Sequence, residues 1–249
     1  MTSLPETQGA KRLGLVIDLD TCVGCHACAV ACKEWNSGGM VAPLADYDPY
    51  GRQPDGVWLN RVHGYEAAWE GKDGGADASA RTVYFPRSCL HCEDAACVTA
   101  CPTGASYKRA DDGIVLVDED KCIGCKLCSW ACPYGAREYD HDSGVMKKCT
   151  LCVDRIYNET LPESEREPAC VRTCPAHARH FGDLADPDSA VSRLVAERDG
   201  QALMPDLGYK PTNRYLPPRT AADTPRMALE ATGAGDSKIL QWVDRLFSR

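Results

Sequence analysis

The sequence predicts an α+β protein made of two small cysteine-rich modules, with long loop insertions and a C-terminal extension. Leu, Ile, Val and Phe together make up 43 of the 249 residues, about 17%. This is below the roughly 20% at which a purely apolar core becomes difficult to build. Sixteen residues are cysteine, and short strand and helix patterns lie between them. Cysteine chemistry must therefore supply part of what holds the chain together.

The cysteines form four groups of four along the chain. The groups are Cys22, Cys25, Cys28 and Cys32; Cys89, Cys92, Cys97 and Cys101; Cys122, Cys125, Cys128 and Cys132; and Cys149, Cys152, Cys170 and Cys174. The first and third groups have the spacing C-x2-C-x2-C-x3-C, and the other two are lengthened variants. This spacing is typical of bacterial ferredoxins, whose thiolates bind [4Fe–4S] clusters. The two modules are therefore predicted to be ferredoxin-like, with two clusters in each.

The spacing also predicts which cysteines share a cluster. In two-cluster ferredoxins, the fourth cysteine of a run binds the neighbouring cluster. Only 20 residues separate the second group from the third, so these groups form one module and the outer groups form the other. The predicted ligand sets are Cys22, Cys25, Cys28 and Cys174 (cluster 1); Cys89, Cys92, Cys97 and Cys132 (cluster 2); Cys101, Cys122, Cys125 and Cys128 (cluster 3); and Cys32, Cys149, Cys152 and Cys170 (cluster 4).

The order of the groups along the chain gives the domain organisation. The predicted parts are an outer module at 13–35 and 145–185, an insertion at 36–80, an inner module at 81–144, and an extension at 186–249.

Local patterns place the main elements within these parts. Alternating apolar residues predict strands at 13–20 and 81–86, and a turn signal precedes a short strand at 114–117. Helical spacing predicts a helix at 189–199 and a terminal amphipathic helix at 238–248. We expect the terminal helix to dock on a partner subunit or a membrane surface, because so short a helix is marginal alone.

Zinc is the main alternative to clusters, because C-x2-C pairs also occur in zinc ribbons. Tetrahedral zinc would leave the third cysteine of each run unused. The segment Cys22-Val-Gly-Cys25-His26 matches the attachment pattern of covalent haem, but Cys28 and Cys32 continue the ferredoxin spacing. Disulfides are disfavoured in a reducing compartment. We therefore expect four [4Fe–4S] clusters.

Several residues beside the cysteines have two interpretations. His26 and His91 are as consistent with hydrogen bonding to a cluster as with simple exposure. Lysines near the sulfurs would raise cluster potentials; Lys148 is one of them, whereas Lys33 is predicted to be solvated. Trp130 is predicted to pack against the protein interior.

The remaining composition restricts the function. A net charge of −8 argues against binding to nucleic acid. The sequence has no apolar run of the ~18 residues that a membrane span needs, and residues 1–12 have no signal-peptide pattern, so we expect a cytoplasmic chain. No P-loop, dinucleotide fingerprint, nucleophile elbow or H-E-x-x-H motif is present. The sequence therefore predicts electron transfer, with no direct small-molecule substrate and no catalytic residue.

The four cysteine groups, with 17 residues inside the last one, closely resemble the iron–sulfur subunits of the dimethyl sulfoxide reductase family over residues 13–218. Residues 181–192 and 207–218 are similar to the quinone-dependent sulfite dehydrogenase members. The resemblance implies a molybdopterin-containing catalytic subunit and a multi-helix, quinone-binding membrane subunit as partners, and the ligand sets of that family agree with those given above.

The resemblance therefore implies a relay from sulfite oxidation to quinone, at the inner face of the cytoplasmic membrane. Three alternatives remain. The relay could run towards polysulfide, tetrathionate or dimethyl sulfoxide; the chain could be a free soluble polyferredoxin; or it could reach the periplasmic face by co-export with a twin-arginine partner.

Overall fold

The computed structural model describes residues 4–36, 57–68 and 80–219, and the compact unit it forms ends at Pro218. The predicted terminal helix at 238–248 and much of the insertion at 36–80 lie outside the described residues. The strands are β1 (Leu13–Asp18), β2 (Asn60–Ala68), β3 (Ala80–Ser88), β4 (Ser106–Lys108), β5 (Val115–Val117), β6 (Glu138–Asp140), β7 (Val145–Lys147), β8 (Arg179–Asp183) and β9 (Arg214–Leu216). The α-helices are α1 (Ala27–Asn36), α2 (Ala96–Thr99), α3 (Leu127–Trp130), α4 (Val153–Ile156), α5 (Ala169–Arg172) and α6 (Ala190–Glu197).

A three-stranded sheet joins distant parts of the chain. Strand β1 lies in its centre, antiparallel to β8 and parallel to β9. Leu15, Val16 and Ile17 in β1 are fully buried, as expected for a central strand that is covered on both faces. Helix α6 covers one face, where Val191 packs with Val16 and Leu216. The predicted strand at 13–20 and the predicted helix at 189–199 are thus confirmed.

The other strands form two-stranded antiparallel sheets. Strand β4 pairs with β5, and β6 pairs with β7. Gly113, in the turn before β5, has a φ of 75°, and the Asp112 carboxylate accepts a hydrogen bond from the Ile114 N–H at 3.0 Å. Strand β2 pairs with β3 over nine residues. The composition of the insertion gave no sign of β2.

Short helices carry the third cysteine of each group. Cys28, Cys97, Cys128 and Cys170 lie in α1, α2, α3 and α5 respectively. Three of these helices are only four residues long, so they depend on tertiary contacts for their stability. Helix α1 packs against α5, and α2 packs against α3. The helices of the outer cysteine groups therefore form one pair, and those of the inner groups form another.

The loops that begin each cysteine group share one backbone feature. The second residue after the first cysteine is left-handed in all four groups, and these residues are Gly24, His91, Gly124 and Leu151, with φ of 67°, 49°, 64° and 56°. A left-handed residue curls the chain, so that neighbouring backbone N–H groups turn towards one centre. The same local turn thus opens each of the four groups.

The loop at Gly124 leaves no room for a side chain. A Cβ there would overlap the Gly144 carbonyl oxygen, whereas at Gly208, with a φ of 75°, a Cβ meets nothing within 4 Å. Gly208→Ala therefore isolates the backbone strain, about 1 kcal/mol, and Gly124→Ala adds an overlap that costs about 1–3 kcal/mol more. We expect thermal unfolding under anaerobic conditions to show a Tm loss of about 2–4 °C for Gly208→Ala and at least twice that for Gly124→Ala. Equal losses would contradict the packing of this loop.

Candidate metal centres

Four cysteines from distant parts of the chain line one cavity. They are Cys32, Cys149, Cys152 and Cys170. All four are buried, and they come from α1, from the loop before α4 and from α5. The structure thus brings together the four residues of the predicted cluster 4 set. Arg179 lines the same cavity.

A second cavity is lined by the residues of the predicted cluster 1 set. They are Cys22, Cys25, Cys28 and Cys174. Cys25 is exposed, whereas Cys28 is buried, so this cavity lies nearer to the protein surface. Arg179 also lines this cavity.

Several of the inner cysteines are also near neighbours. Burial, together with the charges of Cys89, Cys97 and Cys132, raises the pKa of Cys92 to about 12, so the predicted cluster 2 residues are near neighbours. Cys128 interacts with Cys101 of the predicted cluster 3 set, and also with Cys97.

The protonation state of the buried thiols fits a metal-binding role. Burial, then the neighbouring thiols of Cys170 and Cys89, raises the pKa of Cys149 to about 12. Burial likewise raises the pKa of Cys152 to about 11 and that of Cys32 well above its usual range. These groups are neutral thiols near pH 7 unless a cation stabilises the thiolate. Metal binding would therefore release protons from them.

Backbone N–H groups point at several sulfur atoms. The Ser106 N–H donates to Cys101 Sγ and the Ala178 N–H to Cys174 Sγ, both at 3.3 Å. Each donor follows a Cys-Pro pair, so the same short turn supplies it. Burial acts to raise the pKa of Cys101, but the hydrogen bond from the Ser106 N–H and the contacts with Thr103 outweigh it, and the pKa is lowered. Donors of this kind stabilise negative charge on cluster sulfurs.

Buried cations surround the cysteines. Arg137, Arg179 and Lys148 are 5%, 4% and 3% exposed. Arg137 Nη2 donates to Cys97 Sγ at 2.9 Å. The Lys148 ammonium donates to the carbonyls of Cys149, at 2.7 Å, and Val115. A buried cation is costly without negative charge close by, so these side chains fit a site where several thiolates and a cluster share a negative charge.

The two arginines were missed in the sequence, although it contains a signal for them. The third and fourth groups both end in Cys-Pro-x-x-Ala-Arg, with Arg137 five residues after Cys132 and Arg179 five residues after Cys174. The second group ends in the same way but with Ser106 at the arginine position. The repeat is visible only when the groups are aligned on their last cysteine.

The structure also shows the environment of each residue that had two interpretations. His91 is fully buried and its Nδ1 accepts a hydrogen bond from the Val115 N–H at 3.1 Å, so Nε2 carries the proton. His26 is exposed. The predicted exposure of Lys33 is wrong, because it is 7% exposed and its ammonium lies 4.4 Å from the Trp58 ring centroid. The predicted packing of Trp130 is also wrong, since 86% of its surface is exposed.

Exposed apolar residues lie beside the first cysteines of the third group. Ile123, Leu127 and Trp130, which we call the Trp130 patch, are 67%, 43% and 86% exposed. Cys125 lies between them in sequence and is itself exposed. Val23, next to Cys22, is 61% exposed.

The arrangement of the cysteines does not suit a single metal ion. Within residues 4–36, 57–68 and 80–219, no three Cys, His, Asp or Glu side chains converge on a point that one ion could fill. A cuboidal cluster holds its four thiolates further apart than one ion does, so this finding is compatible with the cavities described above.

Among the described helices, none has the length and apolar character to cross a membrane.

Comparisons with known proteins also indicate the binding of [4Fe–4S] clusters. Residues 80–184 match a family model described as a 4Fe-4S dicluster domain, and residues 13–34 match a 4Fe-4S binding domain. The chain is 59% identical over 208 residues to the B subunit of sulfite dehydrogenase from Allochromatium vinosum, with 84% of each protein covered. It is 35% identical to the B subunit of tetrathionate reductase from Salmonella typhimurium, with 87% of this chain and 76% of the relative covered.

A third relative is the B subunit of the anaerobic dimethyl sulfoxide reductase of Escherichia coli, which is 38% identical over 70% of this chain and 74% of its own length. All three relatives are named as one component of a larger enzyme. These matches agree with the sixteen cysteines and with the two cavities that eight of them line. The chain therefore belongs to the family of [4Fe–4S] electron-transfer subunits of sulfite dehydrogenase and of the dimethyl sulfoxide, polysulfide and tetrathionate reductases.

Proposed function

We propose that the chain is a relay of four [4Fe–4S] clusters held by the four predicted cysteine sets. Each such cluster, when bound, accepts and releases one electron at a time. Two cavities lined by complete sets support this assignment for clusters 1 and 4. The neighbours of Cys92 support cluster 2, and the electrostatic interaction of Cys128 with Cys101 supports cluster 3.

The packing of the short helices supports two ferredoxin-like modules. The pair α1 and α5 joins the first and fourth cysteine groups, and the pair α2 and α3 joins the second and third. Sheet β1–β8 closes the outer module and hairpin β4–β5 closes the inner one. In this arrangement the outer module has two segments, and the inner module is inserted between them.

The interactions between the cysteine sets favour one linear order. Arg179 lines the cavities of clusters 1 and 4. Cys149 of cluster 4 interacts with Cys89 of cluster 2, and Cys128 of cluster 3 interacts with Cys97 of cluster 2. The order is therefore 1–4–2–3, with the exposed Cys25 and Cys125 at opposite ends. The chain's own residues insulate the middle from water and leave each end open to a partner.

Sulfite is the substrate class that the similarity favours for the complex. Identity to the sulfite dehydrogenase subunit is 59%, whereas it is 35–38% to the reductase subunits. We infer that a molybdopterin-containing catalytic subunit oxidises sulfite, that this chain carries the electrons, and that a membrane subunit reduces quinone. The chain itself would bind neither a small-molecule substrate nor nucleic acid. Its sixteen thiols and their cluster assembly suit the cytoplasm, and we place it at the inner face of the membrane.

The cysteine sets can be tested by exchanging one ligand at a time. Cys174→Ser is expected to change the EPR signal of the cluster held by Cys22, Cys25 and Cys28, because Cys174 completes that set. Cys132→Ser is the matched control in the inner module, and should change the cluster held by Cys89, Cys92 and Cys97. Each variant should keep at least about twelve of about sixteen iron atoms per chain. A signal change in the set that contains Cys149 after Cys174→Ser would contradict the assignment.

The electron-transfer function can be tested on the co-expressed complex with its neighbouring catalytic and membrane subunits. We expect sulfite-dependent quinone reduction that is lost when this chain is left out, because the two reaction sites would then be disconnected. Tetrathionate, polysulfide and dimethyl sulfoxide, with reduced quinol as donor, test the opposite direction. Recovery of this chain as a stable species without either partner would instead favour a free polyferredoxin.

The Trp130 patch should be part of a subunit interface, because an apolar surface beside an exposed cluster ligand is suited to close docking. We expect Trp130→Glu to weaken co-purification of the chain with one partner subunit at least tenfold, while iron content stays unchanged. Leu207→Glu is the control, because Leu207 is 43% exposed but lies outside the cysteine loops. Equal recovery of both variants in the complex would exclude the patch from the interface.

A further inference from the structure

We propose that Arg137 and Arg179 are equivalent positioning residues, each lying between the two clusters of one pair and setting the reduction potentials of that pair. The inference rests on the proposed function, since it assumes the four clusters. It assigns a separate electrostatic control to each module: Arg179 to clusters 1 and 4, and Arg137 to clusters 2 and 3.

Arg179 lies where the two outer sets meet. Its side chain lines the cavity of Cys32 and Cys170 and also that of Cys28 and Cys174. One guanidinium nitrogen, Nη2, donates to Asn60 Oδ1 at 2.7 Å, while Nε and Nη1 are buried without a hydrogen-bond partner. The charge of Arg179 also interacts with Cys170 of cluster 4 and Cys28 of cluster 1, so it lies between the sets of clusters 1 and 4.

Arg137 has the same arrangement in the inner module. Its Nη2 donates to Ser106 Oγ at 2.7 Å and to Cys97 Sγ at 2.9 Å. Its charge also interacts with Cys128 and Cys89, so it lies between the sets of clusters 2 and 3. Nε and Nη1 are again buried without a partner.

The two arginines are equivalent in sequence as well as in geometry. Each follows the last cysteine of its group by five residues, and each is anchored by a neutral side chain, Asn60 or Ser106, from another part of the chain. Neither has a carboxylate as its anchor. Within the described part of the chain, no salt bridge neutralises either guanidinium. The full positive charge of each therefore acts on the neighbouring sulfurs.

The sign of the effect follows from the charge change on reduction. A cluster becomes more negative by one unit when it accepts an electron, and a fixed positive charge close by stabilises the reduced form more than the oxidised form. Burial strengthens the effect, because water does not screen the interaction. Each arginine therefore raises the potentials of its own pair and has a smaller effect on the other pair.

The test is a redox titration of the purified complex, in which the EPR signals of this chain's clusters are followed and the iron content of each sample is measured. Arg179→Gln is expected to reduce the ratio of reduced to oxidised cluster in the outer pair at least tenfold at a fixed solution potential, equivalent to about 59 mV for one electron. Arg137→Gln should do the same in the inner pair. Arg179→Lys keeps the charge and should restore most of the difference. Arg172→Gln is the control, because Arg172 lies in α5 but its side chain is 38% exposed.

A second pair of variants tests the proposal even if the glutamine variants lose iron. Asn60→Asp and Ser106→Asp leave the arginines in place but give each a carboxylate partner, so each should lower the potentials of its own pair more than those of the other pair. The proposal is overturned if all four clusters are present and the potentials do not change, or change equally in both pairs. Fewer than four clusters in the unsubstituted chain would instead overturn the proposed function.

Discussion

The structure depends on the burial of positive charge beside sulfur. Arg137, Arg179 and Lys148 are nearly inaccessible to solvent, and a guanidinium or ammonium in such a position costs several kcal/mol unless negative charge compensates it. The neighbouring thiols cannot compensate while protonated, and burial raises the pKa of Cys149 to about 12. Both penalties disappear together when a cluster converts the thiols to thiolates. Folding and cluster binding are therefore linked steps of one process.

The same linkage explains how the fold can be stable with so little regular secondary structure. Helices α2, α3 and α5 have four residues each, and hairpins β4–β5 and β6–β7 have three paired residues per strand, lengths that are not stable in isolation. The main apolar cluster contains Leu15, Ile17 and Ile114, but Cys28 and Cys170 are also part of it. Cysteines thus occupy positions that Leu or Val would hold in an ordinary core, and cross-linking through clusters replaces part of the missing apolar burial.

The sequence was sufficient to predict the cysteine ligands but not the residues that surround them. The spacing within each cysteine group is local, and with the ferredoxin rule for the fourth cysteine it predicted four sets, two of which line cavities. Strands such as β1 were visible from their apolar residues. Strand β2 was missed because its residues, Asn60–Ala68, are not strongly strand-forming and are held by pairing with β3. The burial of Lys33 depends on Trp58, which lies 25 positions along the chain. Contacts of this kind arise from the fold and leave no local pattern.

The burial of the cysteines follows the proposed order of the clusters. Cys149 and Cys170, near the middle, are buried, whereas Cys25 and Cys125, at the two ends, are exposed. A protein that only stored electrons would gain nothing from two exposed ends, because exposure admits water and competing reactions. Two openings separated by an insulated middle suit a conductor with a partner at each end. In the proposed complex, those partners would determine the substrate and the direction of electron flow, and the chain's own control would lie in the charges that it buries between its sulfurs.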